Sequence, residues 1–302
     1  MELYSKKLLR TFCAVVEGGG FVGAQQLLGL SQPAISAHIN MLEETLGYVL
    51  CQRGRSGFYL TERGRSAYEK CCQLLNIIED YEAELIDLKE KLKGTLRIGL
   101  VDNVLTNSDF PLSEVIERFY ADDNEVQLEL KMAAPNELET DLLNNRIQLA
   151  IAPFSQRLEE LDYVPLFAEE HRLYCGMKHP LFTVAEGEVE PSLVENYPMS
   201  SRTYWKSESG GSVELGESPA LVSNMEAQAI LILSGRFLGA LPVHYARDWV
   251  RKGQMRELKH PDLVWASEFS LVSRKSVLKR YAASVFIDVF QDVMLERKGR
   301  EA

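Results

Sequence analysis

The sequence has few of the residues that hold small secreted domains together or build metal centres. Its 302 residues include five histidines and five cysteines. The cysteines form no C-x-x-C pair, and a chain of this length does not need a disulfide framework, so we expect reduced and mostly buried thiols. A redox sensor or a metal site is the alternative. The cysteines are Cys13, Cys51, Cys71, Cys72 and Cys175.

Long apolar runs are also missing. The best candidate, residues 227–243, is interrupted by Arg236 and by two glycines, whereas a membrane span needs about 18 apolar residues. The apolar stretch at residues 12–16 is too short for a signal peptide. We therefore expect a soluble, cytoplasmic protein.

Motifs for catalysis and cofactor binding are absent from the sequence. There is no P-loop, no G-x-G-x-x-G, no H-E-x-x-H and no G-x-S-x-G. Residues 169–171 read Glu-Glu-His, but neighbouring residues on a strand point to opposite faces, which argues against a metal centre there. We expect no enzymatic activity, no cofactor and no bound metal.

The charge is unevenly distributed. The chain carries 33 Lys and Arg against 44 Asp and Glu, for a net charge of −11. Residues 1–65 carry +2 and the remainder carries −13. A mildly basic head joined to an acidic body is typical of a DNA-reading module attached to a second domain.

The head contains a helix-turn-helix pattern. Apolar spacing predicts helices at residues 8–16 and 21–28, a turn at 29–30, and a third helix opening at Ser31, with Ser31 as its cap and Pro33 in its first turn. The third helix buries a stripe of Ile35, Ile39, Leu42 and Leu46 and leaves a small polar face outward. A three-helix bundle with a solvated face is the alternative.

A β-hairpin follows and predicts a winged helix-turn-helix. Strands at 49–53 and 58–61 flank a basic turn at 54–57, and such a wing contacts the DNA backbone or minor groove. The third helix enters the major groove. The predicted DNA-binding residues are Ser31, Gln32, Pro33, Ala34, Ser36, Ala37, His38, Asn40, Arg53 and Arg55.

Residues 65–93 contain neither proline nor glycine and predict one long helix. Its apolar residues alternate at spacings of four and three, which favours pairing with a partner helix over packing on its own domain. The predicted dimerisation residues are Cys71, Leu74, Ile78, Tyr81, Leu85 and Leu88.

From residue 94 onward, strands and helices alternate, which predicts an α/β body with a doubly wound parallel sheet. The pattern divides the chain into a DNA-binding domain at 1–62, a linker helix at 63–93 and a body at 94–302. The body splits into one subdomain at 94–165 and 268–302 and a second at 166–267.

The head resembles the N-terminal domain of LysR-type transcriptional regulators. The resemblance is carried by Phe-Val-Gly-Ala at 21–24, Ser-Gln-Pro-Ala-Ile-Ser at 31–36, and the later pairs Leu42-Glu43 and Leu46-Gly47. Gln25, Ala37 and Asn40 depart from the usual pattern, which suggests an unusual operator half-site and fewer phosphate contacts.

The resemblance implies a partner set. It implies a bacterial cytoplasmic protein that binds double-stranded DNA at an interrupted palindromic operator, associates with the nucleoid, contacts RNA polymerase and forms a homodimer or homotetramer. It also implies a small-molecule effector in the cleft of a body that resembles periplasmic binding proteins. The alternative is a solute-binding or catalytic α/β protein with a helical head that does not bind DNA.

The resemblance places the effector site at the ends of four segments. Its residues are Asp102, Asn103, Ala134, Pro135, Ser201, Arg202, Thr203 and Asn224. An ionised Asp102 would attract a cationic group and Arg202 an acidic one, so we predict an amino-acid-like zwitterion. The alternative is that Asp102 or Asn103 only caps the following helix and Arg202 lies in solvent.

Overall fold

The computed structural model describes residues 5–54, 57–87, 92–121, 124–203, 219–275 and 281–301. Contacts divide the chain into two compact units. The first unit contains residues 1–90 with 144–146, and the second contains 91–143 with 147–302.

The head consists of three helices and a hairpin, as the sequence predicts. The helices are α1 (Lys6–Glu17), α2 (Phe21–Leu28) and α3 (Gln32–Leu46), and the strands β1 (Cys51–Gly54) and β2 (Gly57–Leu60) pair antiparallel. Phe12, Ala24, Ile35 and Leu42 form the centre of its core. Burial of this apolar stripe on α3 leaves the opposite face of the helix toward solvent.

Two side chains connect the wing to the helices beside it. The Glu43 Oε1 atom on α3 accepts hydrogen bonds from the amides of Leu50 at 2.7 Å and Cys51 at 3.3 Å. Thr61 caps the next helix, because its Oγ1 atom accepts from the Gly64 amide at 2.9 Å. The sequence predicted Ser31 as the cap of α3. The Ser31 side chain makes no cap hydrogen bond, and its backbone carbonyl accepts from the Ile35 amide instead.

The long helix α4 (Glu62–Asp87) begins one residue before the predicted linker helix at 63–93, directly after the Thr61 cap. A Cβ atom on Gly64 would lie 1.8 Å from the Leu50 carbonyl oxygen, so only glycine permits this close approach to the wing. The predicted end of the helix at Lys93 is wrong, because Lys93 begins the first strand of the body. Residues 88–91 lie outside the described residues.

The body alternates strands and helices. Its elements are β3 (Lys93–Leu100), α5 (Leu112–Phe119), β4 (Glu125–Met132), α6 (Pro135–Leu143), β5 (Leu149–Pro153), β6 (Leu161–Gly176), α7 (Pro191–Val194), β7 (Met199–Arg202), β8 (Ala220–Val222), α8 (Met225–Leu233), β9 (Leu238–Pro242), α9 (Val243–Arg251), β10 (Met255–Glu257), β11 (Val264–Arg274) and α10 (Tyr281–Glu301).

The sheet of the body is mixed, with strand order β4-β3-β5-β11-β6-β9-β7-β8 and β10 paired to β6. The predicted parallel pairing is present at both ends, between β3, β4 and β5 and between β7, β8 and β9. The long antiparallel pair β6 and β11 joins them. The predicted boundary between residues 165 and 166 falls inside β6, and the register of β6 with β11 shifts at this point.

The two ends of the sheet pack around separate cores. Leu96, Ile98, Phe286 and Phe290 belong to the core that α10 covers. On the other side, Leu173 and Trp265 belong to one cluster and Tyr174 and Ile232 to another. Among the described residues, no helix is long and apolar enough to cross a membrane.

Candidate DNA-binding and effector-binding sites

The outer face of α3 presents small and polar side chains. Gln32, Pro33, Ala37 and Asn40 are exposed, and so is Ser31 directly before the helix. Ala34 and Ser36 are half-buried. The exposed set shares one side of the helix because Ile35, Ile39 and Leu42 occupy the other. Amide side chains in such a position can pair with base edges.

His38 differs from its predicted neighbours. Its Nδ1 atom lies 2.9 Å from the Thr11 Oγ1 atom on α1, and the ring is half-buried. Burial lowers the pKa of His38, and the charge of Lys7 adds to the effect. His38 therefore connects α3 to α1, and a role in positioning α3 accounts for it better than a base contact.

The wing stands beside α3 but its basic residues are only partly described. Arg53 pairs with Phe58 through the backbone of the hairpin. The side chain of Arg53 and the whole of Arg55 lie outside the described residues. Tyr59 on β2 donates from its hydroxyl to the Gln52 Oε1 atom at 2.6 Å, which ties the two strands together.

Asp102 contacts a helix that lies 123 residues further along the chain. The Asp102 Oδ2 atom accepts from the backbone amide of Met225 at 2.5 Å and from the Asn103 side chain at 2.7 Å. Met225 is the first residue of α8, whose N-terminal amides favour an anion. Asp102 therefore contacts the N-terminus of a distant helix, and the alternative of a cap on the following helix is wrong.

Arg202 lies at the same end of α8. Its side chain is buried, with 5% exposed, so the alternative that places it in solvent is also wrong. One Nη atom contacts the Met225 sulfur at 3.3 Å and the other lies 3.5 Å from the His171 Nδ1 atom. Burial raises the pKa of Asp102, and the Met225 amide and the Arg202 charge lower it in part. Asp102 and Arg202, the two predicted charged residues, thus both contact Met225 at the start of α8.

A buried carboxylate that the sequence analysis did not single out connects to this site. The Glu169 carboxylate accepts from His244 at 2.8 Å, lies 3.1 Å from His171 Nε2, and accepts from Asn107 at 3.3 Å. The other ring nitrogen of His244 lies 2.8 Å from the Thr106 hydroxyl. The network joins distant segments of the body, since Thr106 and Asn107 follow β3 whereas His244 is on α9.

The network fixes unusual protonation states. Burial raises the pKa of Glu169, but the hydrogen bonds from His171 and His244 more than offset it and hold the pKa at about 2. Burial lowers the pKa of His171 to about 4, against the opposing hydrogen bond from Glu169. Near neutral pH, Glu169 is therefore an anion and His171 a neutral ring.

The other predicted effector residues lie at strand ends nearby. Asn224 caps α8 through its side chain, which accepts from the Ala227 amide at 2.8 Å. Ser201 belongs to β7 and Thr203 follows it, with Thr203 donating to the Val222 carbonyl at 3.0 Å. Pro135 begins α6 after β4, and Ala134 directly precedes it. The described side-chain contacts of the cleft do not include Ala134, Pro135, Ser201 or Thr203.

One signal for the missed network was present in the sequence. Residues two apart on a strand share a face, so Glu169 and His171 point the same way on β6. The adjacent residues Glu169 and Glu170 point to opposite faces, whereas Glu169 and His171 do not. Thr106, Asn107 and His244 carry no comparable signal, because they meet β6 only in the folded body.

Family models match both parts of the chain. Residues 7–65 match the model described as bacterial regulatory helix-turn-helix protein, lysR family. Residues 89–295 match the model described as LysR substrate binding domain.

Comparisons with individual proteins give the same result as the family models. The chain is 36% identical over 293 residues to the HTH-type transcriptional activator BauR of Pseudomonas aeruginosa, a match that covers 93% of this chain and 94% of the relative. Among solved structures, a full-length OxyR variant from Pseudomonas aeruginosa superposes with a TM-score of 0.62 at 18% identity and covers 95% of each chain. Full-length CbnR in complex with its target DNA gives a TM-score of 0.62 at 17% identity, covering 96% of this chain and 99% of that one.

The chain belongs to the LysR family of transcriptional regulators. It is a DNA-binding regulator with an effector-binding domain, and the family comprises regulators rather than enzymes. The comparisons favour this function over a solute-binding or catalytic protein with an inert head.

The buried His171 predicts a pH dependence of stability. Its folded-state pKa of about 4 lies below the ordinary 6.5, so between these values the unfolded chain binds a proton that the folded chain does not. The stability that depends on a neutral His171 is therefore fully present above pH 6.5 and is lost as the pH drops toward 4. His171→Gln should reduce the slope of unfolding free energy against pH by up to about 1.4 kcal/mol per pH unit.

Urea denaturation between neutral and mildly acidic pH measures this slope. His260→Gln removes a histidine outside the network and is the control. Equal slopes for the wild type and the His171 variant would contradict the assigned protonation state.

Proposed function

We propose that Gln32 and Asn40 on the exposed face of α3 read operator bases and that the wing holds the DNA backbone through Arg53 and Arg55. The exposed polar face of α3, fixed by the buried stripe opposite, is the observation that carries this proposal. Ser31, Pro33, Ala34, Ser36 and Ala37 complete the groove-facing surface. Glutamine and asparagine suit adenine edges, and arginines on a wing suit phosphates.

Substitutions should separate these two roles. Gln32→Ala or Asn40→Ala should change the ranking of duplexes selected from a random library, by ~1–3 kcal/mol for each lost base contact. Arg53→Ala should weaken all duplexes alike and reduce the salt slope of binding by about one. Fluorescence anisotropy at several salt concentrations measures both effects.

Arg251→Ala is the matched control, because it removes an exposed positive charge from the body. If Asn40→Ala leaves the ranking of duplexes unchanged, the assigned reading face is wrong.

For assembly, we propose that the C-terminal half of α4 pairs with a second copy of the chain and presents two heads to an interrupted palindrome. The predicted pairing surface included Cys71, but Cys71 is buried with Ala67 and Leu75 in the core of its own head. Leu74 also packs on that core, and Ile78 is half-buried. The side chains of Tyr81 and Leu85, and all of Leu88, lie outside the described residues. The proposed pairing surface therefore begins near Ile78. The proposed assembly is a homodimer or a homotetramer.

An acid in the proposed seam tests the pairing. Leu85→Asp should abolish the oligomer and operator binding together, because a buried carboxylate without a partner is costly. Light scattering after gel filtration gives the mass, and circular dichroism verifies folding. Leu295→Asp, at a leucine on α10 that is 68% exposed, is the control. A Leu85→Asp protein with the wild-type mass would contradict the seam.

The effector of this regulator, we propose, is a small amino-acid-like zwitterion held between Asp102 and Arg202. Asp102 and Arg202 bring opposite charges to the N-terminus of α8, and Glu169 adds a second anion to the connected network. The effector carboxylate would accept hydrogen bonds from the Met225 amide and from Arg202. Asp102 would leave the Met225 amide and bind the ammonium group of the effector. Asn103 and Asn224 support these positions through the hydrogen bonds described above.

Calorimetric titration of the full chain tests the ligand class with propylamine, propionate and alanine. Alanine should bind at least tenfold more tightly than either single-charge compound. Asp102→Asn and Arg202→Gln should each weaken alanine binding by at least ~1 kcal/mol, because each removes a charged partner.

Asp248→Asn and Arg251→Gln, an exposed pair on α9 with 66% and 74% of the side chains accessible, are the controls. Equal affinity for the best ligand in the wild type and both cleft variants would contradict the proposal.

The proposed site of action is the bacterial nucleoid, where the regulator binds its operator and contacts RNA polymerase. The membership of the family and the helix-turn-helix head support this placement.

A further inference from the structure

Two cysteine side chains meet inside the head. The sulfur atoms of Cys13 on α1 and Cys72 on α4 lie 3.3 Å apart, in a hydrogen bond between thiols. The residues are 59 positions apart in the sequence, so only the packing of α1 against α4 brings them together. No step of DNA reading or effector binding uses this contact.

The two thiols have different surroundings. Cys13 is buried, with 6% exposed, whereas Cys72 is half-buried. The hydrogen bond from Cys13 lowers the pKa of Cys72 and the one from Tyr68 adds to this, although burial opposes them. The pKa of Cys13 is raised by the same contact and by burial. One thiol is thus more ready to ionise, and its neighbour holds its proton.

Cys71 cannot replace either member of the pair. Consecutive residues on a helix point about 100° apart, so Cys71 and Cys72 face different directions on α4. Burial raises the pKa of Cys71 to about 11, which disfavours its thiolate. The remaining two cysteines, Cys51 on β1 and Cys175 on β6, belong to other elements.

We propose that Cys13 and Cys72 are a reversible oxidation site, at which a peroxide converts the contacting thiols into a disulfide that joins α1 to α4. The Cys72 thiolate attacks a peroxide oxygen, the O–O bond breaks, and the released hydroxide takes up a proton to give water and a Cys72 sulfenic acid. The Cys13 sulfur then attacks the Cys72 sulfur and displaces the hydroxyl group, which leaves as a second water with the Cys13 proton. Two thiols lose two electrons and one peroxide gains them.

The two sulfur atoms are already close to bonding distance. A bonded pair of sulfurs is separated by about 2.05 Å, so the sulfurs approach each other by roughly 1 Å. Because α1 also holds α3 through Thr11 and His38, the oxidation site lies one helix away from the DNA-reading surface.

Peptide mapping tests the proposal on the full-length wild type. The reduced protein is treated with hydrogen peroxide under native conditions, quenched with catalase, blocked with N-ethylmaleimide and digested with trypsin and an enzyme that cleaves after glutamate. The expected product links peptide 11–17 to peptide 71–79, with a loss of two free thiols per chain. The link should disappear after treatment with dithiothreitol, and the oxidised chain should migrate as a monomer on a non-reducing gel.

Variants assign the bond to single sulfurs. Cys71→Ser and Cys51→Ser, the matched controls, should keep the link at wild-type yield, and Cys13→Ser and Cys72→Ser should lose it. Peptide 71–79 contains both Cys71 and Cys72, so the map of the Cys71→Ser variant assigns the bond, and this holds even if the buried Cys13 variant folds poorly. Three results would overturn the proposal: no loss of thiols, a link that includes a different cysteine, or oxidation of Cys72 to sulfinic acid without a link.

Discussion

The antiparallel pairing of β6 with β11 is the constraint on which the effector-binding domain depends. Both strands run through the two halves of the body, and each also pairs with strands that belong to one half. Glu169 and His171 lie on β6 where these halves meet. A shift of one residue in the register would turn both side chains to the opposite face and remove the buried carboxylate from its donors.

That carboxylate and Asp102 give the cleft its chemistry. Glu169 is stabilised as an anion by two histidines and an asparagine, and Asp102 by the first amide of α8. Arg202 supplies the opposing charge from β7. Because Thr106 contacts α9 and Asp102 contacts α8, a molecule that exchanges these partners would also change how the segment after β3 is held against these two helices.

In the head, α1 contacts both α3 and α4. Thr11 meets His38 on α3, and Cys13 meets Cys72 on α4. Glu43 and Thr61 add hydrogen bonds that hold the start of the wing. The reading surface is therefore stabilised by residues that do not belong to it, and chemistry at the Cys13–Cys72 contact acts on the same packing.

The sequence by itself determined the helices of the head, the wing and the exposed face of α3, because local apolar spacing and turn residues such as Gly29 and Pro33 decide them. It also determined the alternating body, and the family resemblance pointed to Asp102 and Arg202. Only the tertiary structure decided that Cys71 is buried in its own head, that Asp102 reaches α8, and that Glu169 gathers His171, His244 and Asn107. These contacts join residues far apart in the chain, and the pairing of strands and helices that creates them leaves no periodic signal in the sequence.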